Sequence, residues 1–445
     1  MKNRRWMFYA LCMGAAGVVQ AVSVTDVTAH PRWPWRAHVD VDVTLSQTEE
    51  GATYLVTLEA TQPAWTGAAV SARTFLTKPL VSGNGPHRLV WDLGTDCPGL
   101  SVSNLQVRAT VTPFAPHDPL YMVIDLSGGP QASSYPVRYS RTPPENILSN
   151  DLCRTDELWL RRCPAGTFTM GEGTTLRGSN NDNAHLPAHT VKLTKPFWIA
   201  IFETTQQQWA HVMGTWPSAF TNKACRATRP VDQVRRYDIR GNDGWFNTPV
   251  STVHEISFCG FLRTRTGLAT LDLPTEAQWE YACRAGTTGR YYWPAMTAST
   301  IAQWGRCATG GMNLMLPGTT DQPDLSVDTS YGSARVGTYS ANPWGLYDML
   351  GNLMDVVGDG NPFHADQDYA DVYVNAYTNA VRVDPRGPPA IPSVDGFDEK
   401  SVTTVTGRGG DITMQPQRLH AVYRRYLSSS TKARQWTFRI AVTDE

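Results

Sequence analysis

The sequence predicts an α+β protein in which an all-β region precedes a larger region of helices and strands. Between residues 22 and 116, short runs alternate apolar and polar residues, which is the two-residue period of half-buried strands. Later in the chain, Thr275 and Gln278 have the spacing of a capping box, which begins a helix. Glycine and proline are frequent, with 36 and 30 among 445 residues, so we expect many loops between short elements.

The composition excludes several classes of protein. Hydrophobic residues make up 41% of the chain and charged residues 18%, which is typical of a globular protein with two or three domains. The net charge of −1 provides no broad electrostatic field, so we expect no nucleic-acid partner. No apolar stretch beyond the N-terminal segment is long enough for a membrane helix, and we expect no transmembrane segment.

Residues 1–21 have the pattern of a secretory signal peptide. Lys2, Arg4 and Arg5 precede an apolar run, and small residues end that run at Ala21. We therefore expect cleavage after Ala21 and export of the protein to the periplasm, the cell surface or the extracellular space.

Residues 22–116 are expected to form an immunoglobulin-like β-sandwich, because short alternating strands are separated by turn clusters. The expected strands span residues 38–43, 53–58, 87–91 and 105–111. No catalytic set of residues lies in this region. We expect it to support the following domain, with a spacer or an adhesion module as alternatives.

A join at residues 117–160 leads to the large domain at residues 161–445. Glycine and proline clusters interrupt the join, and residues 121–125 are predicted to form a strand. Cys153 and Cys163 flank the entry to the large domain, and in an exported protein they could form a disulfide. Removal of the signal peptide leaves seven of the eight cysteines, so at least one is a free thiol or bonds to another chain.

Helices and strands are both predicted in the large domain. The two expected strands span residues 189–193 and 197–201, and the three expected helices span residues 205–213, 255–266 and 275–286. In the first helix, Gln206, Gln207 and Gln208 are expected to face solvent, and the side chains expected to face the interior are Trp209, Val212 and Met213. The second helix is expected to carry Ile256, Cys259 and Leu262 on one face. After Gly286 we expect loops and short strands rather than helices.

The segment from Asn342 to Asp355 is dense in glycine, aromatic and carboxylate positions. Gly351 can adopt a positive φ, so a chain that curls around it could turn the carboxylates of Asp348 and Asp355 toward one point. Calcium requires such a set of oxygen ligands. The alternative is a solvated turn, since Asp and Asn are common turn residues.

The same segment resembles the central signature of the formylglycine-generating enzyme, or sulfatase-modifying factor, family. Other stretches agree with that family in order and approximate spacing, and the match runs from about Arg161 to the last strand. The matching stretches are residues 168–171, 202–206, 249–251, 258–259, 273–282, 345–349, 351–352, 408–410 and 438–439. The resemblance implies a C-type-lectin-like fold with long loops, and hence a sulfatase-modifying-factor domain after the β-sandwich.

In the resembled family, two cysteines that follow an Arg-Gly-Gly motif bind copper and oxidise a substrate cysteine to formylglycine. Counted from the motif at residues 408–410, those positions fall on Met414 and Leu419. Neither side chain can be a thiolate ligand or nucleophile, and Cys307 is the last cysteine of the chain. The resemblance therefore implies a member without the oxidase activity, and we expect no copper.

A structural calcium ion is also implied by the resemblance. Its ligands would be the side-chain oxygens of Asp348 and Asp355 and the backbone carbonyls of Gly351 and Leu353. A second calcium site of the family begins at residues 313–314, and its remaining ligands do not align with this sequence.

The C-terminal tail is rich in side chains that make contacts in binding sites, and the resemblance places this region on the ligand surface of a lectin-like fold. The candidate binding residues are Asp411, Gln415, Gln417, Arg418, His420 and Arg424. The alternative is a solvated basic patch. The ligand would be a peptide, a protein or a carbohydrate.

The leading hypothesis is an exported binding module stabilised by calcium. The alternative is a metal-dependent oxidoreductase, either sulfatase-maturation-like or with nonheme iron, that uses the same cleft. His185 and His189 are candidate metal ligands, but Pro187 between them opposes the helical spacing that would face both rings to one ion. We therefore expect one loop histidine and one histidine that is satisfied within the fold.

Overall fold

The chain divides into two compact units, Met1–Phe114 and Ala115–Glu445. The computed structural model describes residues 21–32, 37–63, 65, 69–99, 102, 104–173, 187–222, 224–241, 253–294, 297–308, 332–360, 380–386, 404–428 and 432–444. Several sequence predictions lie outside these residues: all of the signal peptide except Ala21, His185, the matched stretch 249–251 and the start of a second calcium site at 313–314. Among the described helices, none has the length and apolarity needed to cross a membrane.

The first unit is built from antiparallel strands around one hydrophobic core. Its elements are β1 (Ser23–Pro31), β2 (His38–Ser46), β3 (Tyr54–Thr61), β4 (Val70–Ser71), β5 (Thr74–Phe75), β6 (Leu80–Val81), β7 (Gly85–Asp92), α1 (Leu93–Asp96) and β8 (Gln106–Pro113). One sheet has the order β1-β2-β7-β5, and a second contains β3 with β4, β6 and β8 as its partners. Alternate residues of β2 and β3, such as Val41 and Val56, enter the same core. The four strands predicted in this region correspond to β2, β3, β7 and β8 and are confirmed.

The described strands of the second unit form three sheets. Its strands are β9 (Tyr121–Asp125), β10 (Val137–Ser140), β11 (Glu157–Cys163), β12 (Gly166–Met170), β13 (His189–Leu193), β14 (Phe197–Ala200), β15 (Leu271–Asp272), β16 (Met354–Gly360), β17 (Arg382–Val383), β18 (Thr404–Arg408), β19 (Arg424–Ser428), β20 (Trp436–Thr437) and β21 (Ala441–Thr443). Their orders are β10-β9-β11-β14-β21-β15, β12-β13-β17 and β19-β18-β16-β20. The expected join at residues 117–160 thus contributes β9 and β10 to the sheet of the second unit.

Five α-helices are described in the second unit, which makes it an α+β unit rich in sheet. They are α2 (Gln206–Met213), α3 (Arg236–Ile239), α4 (Phe258–Thr266), α5 (Glu276–Arg284) and α6 (Ala298–Trp304). The three predicted helices are confirmed as α2, α4 and α5. The Thr205 and Thr275 side chains cap α2 and α5 in complete capping boxes, and α4 ends at Gly267 with φ 75°.

Some sequence predictions about these helices are wrong. Gln206 and Gln208 are buried rather than solvent-facing, because their amides donate to the backbone carbonyls of Phe220 and Glu157. Ile256 is 55% exposed, since α4 begins only after its cap at Ser257. A helix, α6, does follow Gly286, capped by Thr297 and Thr300 hydroxyls, which is a different pattern from Thr-x-x-Gln.

No disulfide forms among the described cysteines. Cys153 and Cys163, which we expected could be bonded, are separate buried thiols. Cys259 and Cys283 are also buried and reduced. A buried free cysteine packs as a small apolar side chain, so these residues belong to the core of the second unit.

Candidate functional site

The segment from Asn342 to Asp355 forms a buried loop that leads into β16. The side-chain oxygen of Asn342 accepts hydrogen bonds from the backbone N–H groups of Trp344 (3.0 Å) and Leu346 (3.1 Å). Its amide donates to the carbonyl of Ala282 in α5 at 2.8 Å. The first half of the loop is therefore tied to itself and to a helix.

The two predicted carboxylate ligands are both in the interior, with Asp348 2% and Asp355 1% exposed. One oxygen of Asp348 accepts from the backbone N–H of Gly337 at 2.6 Å. One oxygen of Asp355 accepts from Trp279 Nε1 (2.9 Å) and Arg439 Nε (2.7 Å). The other oxygen of each carboxylate, Oδ1, is buried and has no hydrogen-bond partner within the described part of the chain.

A third carboxylate, that of Glu203, reaches this loop from the turn between β14 and α2. It is fully buried, and its two oxygens accept from Asn352 Nδ2 (2.6 Å) and from the backbone N–H of Leu353 (3.0 Å). We did not predict this role from the sequence. The signal in the sequence was Glu203 itself, because it is a charged residue within the largely apolar stretch 197–204 and within the matched segment 202–206.

The pKa values of the three acids are all raised, with burial as the main cause. Burial raises the pKa of Asp348 to about 6, and it raises that of Asp355. Burial, followed by the negative charges of Asp348 and Asp355, raises the pKa of Glu203 well above its ordinary value. Burial alone would lower the pKa of Arg439, but its interactions with these acids, Asp355 first, raise it.

Acidic groups outnumber guanidinium groups in this cluster, because three carboxyl groups lie around Arg439 and only Asp348 is also influenced by Arg154. Arg154 lowers the pKa of Asp348 as well, but it makes its own hydrogen bonds to backbone carbonyls, including that of Val336 at 2.8 Å. No three His, Cys, Asp or Glu side chains among the described residues are placed to hold a metal ion by themselves. A cation here would therefore need backbone carbonyls as well as side chains.

Gly351 and Leu353 are held in place by backbone conformation and by packing. Gly351 has φ 90°, and a Cβ atom there would lie 2.7 Å from the carbonyl oxygen of Arg306, so only glycine fits. Leu353 packs against Phe220 and Ile412 in a small apolar cluster. The two residues that would offer carbonyl ligands are thus held in place by packing and by backbone conformation.

The positions that correspond to the family's cysteine pair are apolar and buried. Met414 is 3% exposed and Leu419 is fully buried. Leu419 methyl groups fill the space beside Gly351 and Gly410, and the carbonyl of Met414 accepts from Ala308 N–H at 2.9 Å. Cys307 precedes Ala308, and burial raises the pKa of its thiol to about 11.

The six candidate binding residues divide into two groups. Asp411, His420 and Arg424 are buried. Gln415 and Gln417 are exposed and Arg418 is partly exposed, at the 3₁₀ turn that spans residues 416–418. The second group alone lies where a ligand could reach it.

Contacts within the domain hold each of the three buried members in place. Asp411 accepts from the N–H of Thr413 at 2.7 Å, and His420 packs edge-on against the ring of Tyr423. Arg424 donates to Glu276 at 2.8 Å. These side chains support the tail from inside the domain.

The glutamate bound by Arg424 belongs to a second buried ionic cluster, formed by Glu276 and Glu280 of α5 with three arginines. Arg408 pairs with both glutamates, and Arg284 pairs with Glu280 at 2.8 Å. Here the pKa of Glu280 is lowered, because the charges of Arg408 and Arg284 outweigh burial.

His189 is satisfied within the fold, as we expected. It is 5% exposed, and its Nδ1 lies 2.9 Å from the carbonyl oxygen of Pro187. Burial lowers the pKa of this histidine, so the ring is neutral at physiological pH.

Comparison with known proteins identifies one family model, a sulfatase-modifying factor enzyme 1-like domain, that matches residues 155–444. The chaperone protein LppX of Paenibacillus barcinonensis is 29% identical over 36% of this chain and 60% of its own length. The formylglycine-generating enzyme of Thermomonospora curvata is 32% identical over 26% of this chain and 33% of its own length. The chain therefore spans less than two thirds of each of these relatives.

Among solved structures, Treponema denticola variable protein 1 is similar, with 19% identity and a TM-score of 0.45. The alignment covers 65% of this chain and 96% of that protein.

Proposed function

The chain belongs to the sulfatase-modifying factor enzyme 1-like domain family, and within it we propose an exported binding module that is stabilised by calcium and lacks cysteine-oxidising activity. The observation that carries the proposal is the pair of buried apolar side chains, Met414 and Leu419, at the family's cysteine positions. A thioether and an aliphatic chain cannot supply the two thiolates that copper would need.

The buried thiols of Cys283 and Cys307 do not replace the missing pair. Burial raises the pKa of Cys283 to about 12 and that of Cys307 to about 11, so both are protonated at neutral pH. Only the thiolate is a good nucleophile and metal ligand. Cys307 is the cysteine closest along the chain to Met414, and it too is a buried, inert thiol.

A conversion assay tests the absence of oxidase activity. The full-length protein, supplied with copper and oxygen, is incubated with a cysteine-containing sulfatase peptide, and the peptide is analysed by mass spectrometry. We expect no formylglycine, whereas the formylglycine-generating enzyme of Thermomonospora curvata serves as the positive control. Conversion at a rate comparable to that control would overturn this part of the proposal.

The calcium part rests on the fit between the loop and a hard cation. Asp348 and Asp355 each have one buried oxygen without a hydrogen-bond partner in the described chain. These oxygens would hold the ion with the carbonyls of Gly351 and Leu353, and water would complete the six to eight oxygen ligands that calcium prefers. The bound ion would supply positive charge to a cluster in which carboxylates outnumber arginines.

The surface that we propose for ligand binding is the 3₁₀ turn with Gln415, Gln417 and Arg418. Arginine is frequent in binding hot spots, and buried neighbours such as Asp411 make the turn rigid. A relative named as a chaperone protein favours a protein or peptide ligand over a carbohydrate.

Peptide and glycan arrays, probed with the labelled protein in calcium, test the binding surface. We expect peptide binding that is lost when all three residues of the turn are changed to Ala, with the melting temperature unchanged. Binding to glycans alone would overturn the preference for a peptide, and a triple variant that binds like the wild type would overturn the choice of surface.

Export completes the proposal, and the basic and apolar pattern of residues 1–21 supports it. Mass spectrometry of the protein secreted by its host should identify Val22 as the first residue. An intact Met1 in the cytoplasmic fraction would contradict it.

A further inference from the structure

Glu203 contacts the proposed calcium loop at two adjacent residues. Its carboxylate, fully buried, accepts from Asn352 Nδ2 at 2.6 Å and from the backbone N–H of Leu353 at 3.0 Å. Both of its oxygens are therefore already engaged by donors of the loop. A carboxylate held in this way can orient the side-chain amide and the backbone N–H that it contacts.

Asn352 adopts the left-handed conformation with φ 61°. Asparagine tolerates this conformation better than most residues other than glycine, because its short polar side chain can form local hydrogen bonds. The Asn352 side chain is held from two directions. Its oxygen accepts from Ala334 N–H at 2.8 Å, and its amide donates to Glu203.

The peptide planes on both sides of Leu353 are fixed as well. The N–H of Leu353 donates to Glu203, and the N–H of Met354 donates to the carbonyl of Gln435 at 2.8 Å. In a trans peptide, the carbonyl points opposite to the N–H of the next residue, so the Leu353 carbonyl points away from Gln435. The N–H of Leu353 is therefore oriented by Glu203, and its carbonyl is oriented by the hydrogen bond from Met354 to Gln435.

The same reasoning applies to Gly351. The N–H of Asn352 donates to the carbonyl of Arg306 at 2.9 Å, so the Gly351 carbonyl points away from Arg306. Glu203 holds the Asn352 side chain and the peptide between Asn352 and Leu353, which links the two peptides whose carbonyls are candidate ligands.

We propose that Glu203 is the positioning residue of the calcium loop: by holding Asn352 and the peptide that follows it, Glu203 fixes the link between the Gly351 and Leu353 carbonyls and so presets both for the ion. This inference rests on the calcium site proposed above. Residues that orient metal ligands without touching the metal typically change metal affinity by about 10–100-fold when they are mutated.

Calorimetric titration of the full-length protein with calcium chloride tests the role of Glu203. We expect Glu203→Gln to bind calcium about 10–100-fold more weakly than the wild type. Glutamine keeps the size of the side chain and one acceptor, so it is less disruptive than alanine. Asn352→Gly is a second variant, in which the left-handed backbone is retained but the link to Glu203 is lost, and we expect weaker binding there too.

Glu276→Gln is the matched control, because Glu276 is also buried and hydrogen-bonded but contacts Arg424 instead of the calcium loop. We expect it to lower the melting temperature without calcium and to leave the calcium Kd within about twofold of the wild type. A purely structural role of Glu203 would make Glu203→Gln behave like this control, which would overturn the inference.

The possible failures are distinguishable. If the wild type binds no calcium, the calcium part of the proposed function is wrong. If the wild type binds calcium and both Glu203→Gln and Asn352→Gly bind it equally well, the calcium site stands and the positioning role of Glu203 is overturned.

Discussion

Glu203 and Glu280 are both almost fully buried in the second unit, yet their pKa values shift in opposite directions. The pKa of Glu203 is raised by burial and by the carboxylates of Asp348 and Asp355. Glu280 experiences the same burial, but the charges of Arg408 and Arg284 lower its pKa. The direction of the shift is therefore determined by the balance of nearby charge rather than by burial alone.

Both clusters contact the indole of Trp279. Trp279 donates its N–H to Asp355, and the guanidinium of Arg408 lies 5.0 Å from the centre of the Trp279 ring. The cluster around Glu280 is neutralised by the chain's own arginines. The cluster around Glu203 is not, and a divalent cation would correct the imbalance.

Removing a charge from the neutralised cluster should have the largest effect. Glu280→Gln leaves the buried guanidinium groups of Arg408 and Arg284 without a full counter-charge, so we expect a loss of about 3–5 kcal/mol in the free energy of unfolding. Urea denaturation followed by tryptophan fluorescence measures this. A loss below about 1 kcal/mol would mean that the arginines find other partners and that the comparison of the two clusters is wrong.

Calcium removal should have the next largest effect, and only on the acidic cluster. At calcium concentrations about 100-fold above Kd, binding contributes about 2.7 kcal/mol, so a chelator should lower the melting temperature of the wild type. Asp348→Asn keeps an acceptor for Gly337 but removes the charge, and its melting temperature should not depend on calcium. Elemental analysis of the natively purified protein provides an independent check, with calcium expected and stoichiometric copper or iron contradicting the proposal.

Asp232 extends the comparison to a buried carboxylate outside both clusters. Burial raises its pKa to about 7, although hydrogen bonds from the backbone N–H groups of Ala219 and Phe220 oppose the shift. In the unfolded chain an aspartate titrates near pH 3.9, so between about pH 4 and pH 7 the folded state binds more protons than the unfolded state. Stability contributed by this group is therefore present at low pH and is lost as the pH rises toward 7.

The effect of Asp232 should be on the order of 2 kcal/mol between pH 5 and pH 7, since one bound proton corresponds to about 1.4 kcal/mol per pH unit. The comparison of the wild type with Asp232→Asn, by chemical denaturation at each pH, isolates it. The variant should lose this part of the pH dependence. Parallel curves for the two proteins would show that Asp232 titrates normally.

A surface ion pair should have the smallest effect. The Arg290 side chain is 49% exposed and pairs with Glu172, which lies near the surface. Such pairs contribute about 0–1 kcal/mol, so Glu172→Gln should change stability by less than about 1 kcal/mol, and less still in high salt. A loss as large as that of Glu280→Gln would show that burial does not distinguish the two glutamates.

Local patterns in the sequence were sufficient for many elements. The strand from Tyr121 to Asp125 follows from a short apolar run next to chain breakers, and the capped start of α5 at Thr275 follows from a capping box. Both signals depend on neighbours a few residues apart. Glycine at 267 ends α4 for the same local reason. By contrast, Gln206 was placed wrongly, because a carbonyl fourteen residues away accepts from its amide.

The sequence by itself determined the absence of cysteine at positions 414 and 419, the family resemblance and the pair of aspartates in the loop. Only the tertiary structure brought Glu203 and Arg439 to that loop from distant parts of the chain and buried them together. Charge balance and burial depend on which residues meet in three dimensions, and hydrophobic periodicity carries no such information. For that reason Asp348 and Asp355 could be recognised in the sequence, whereas the excess of acidic groups over arginines around them could not.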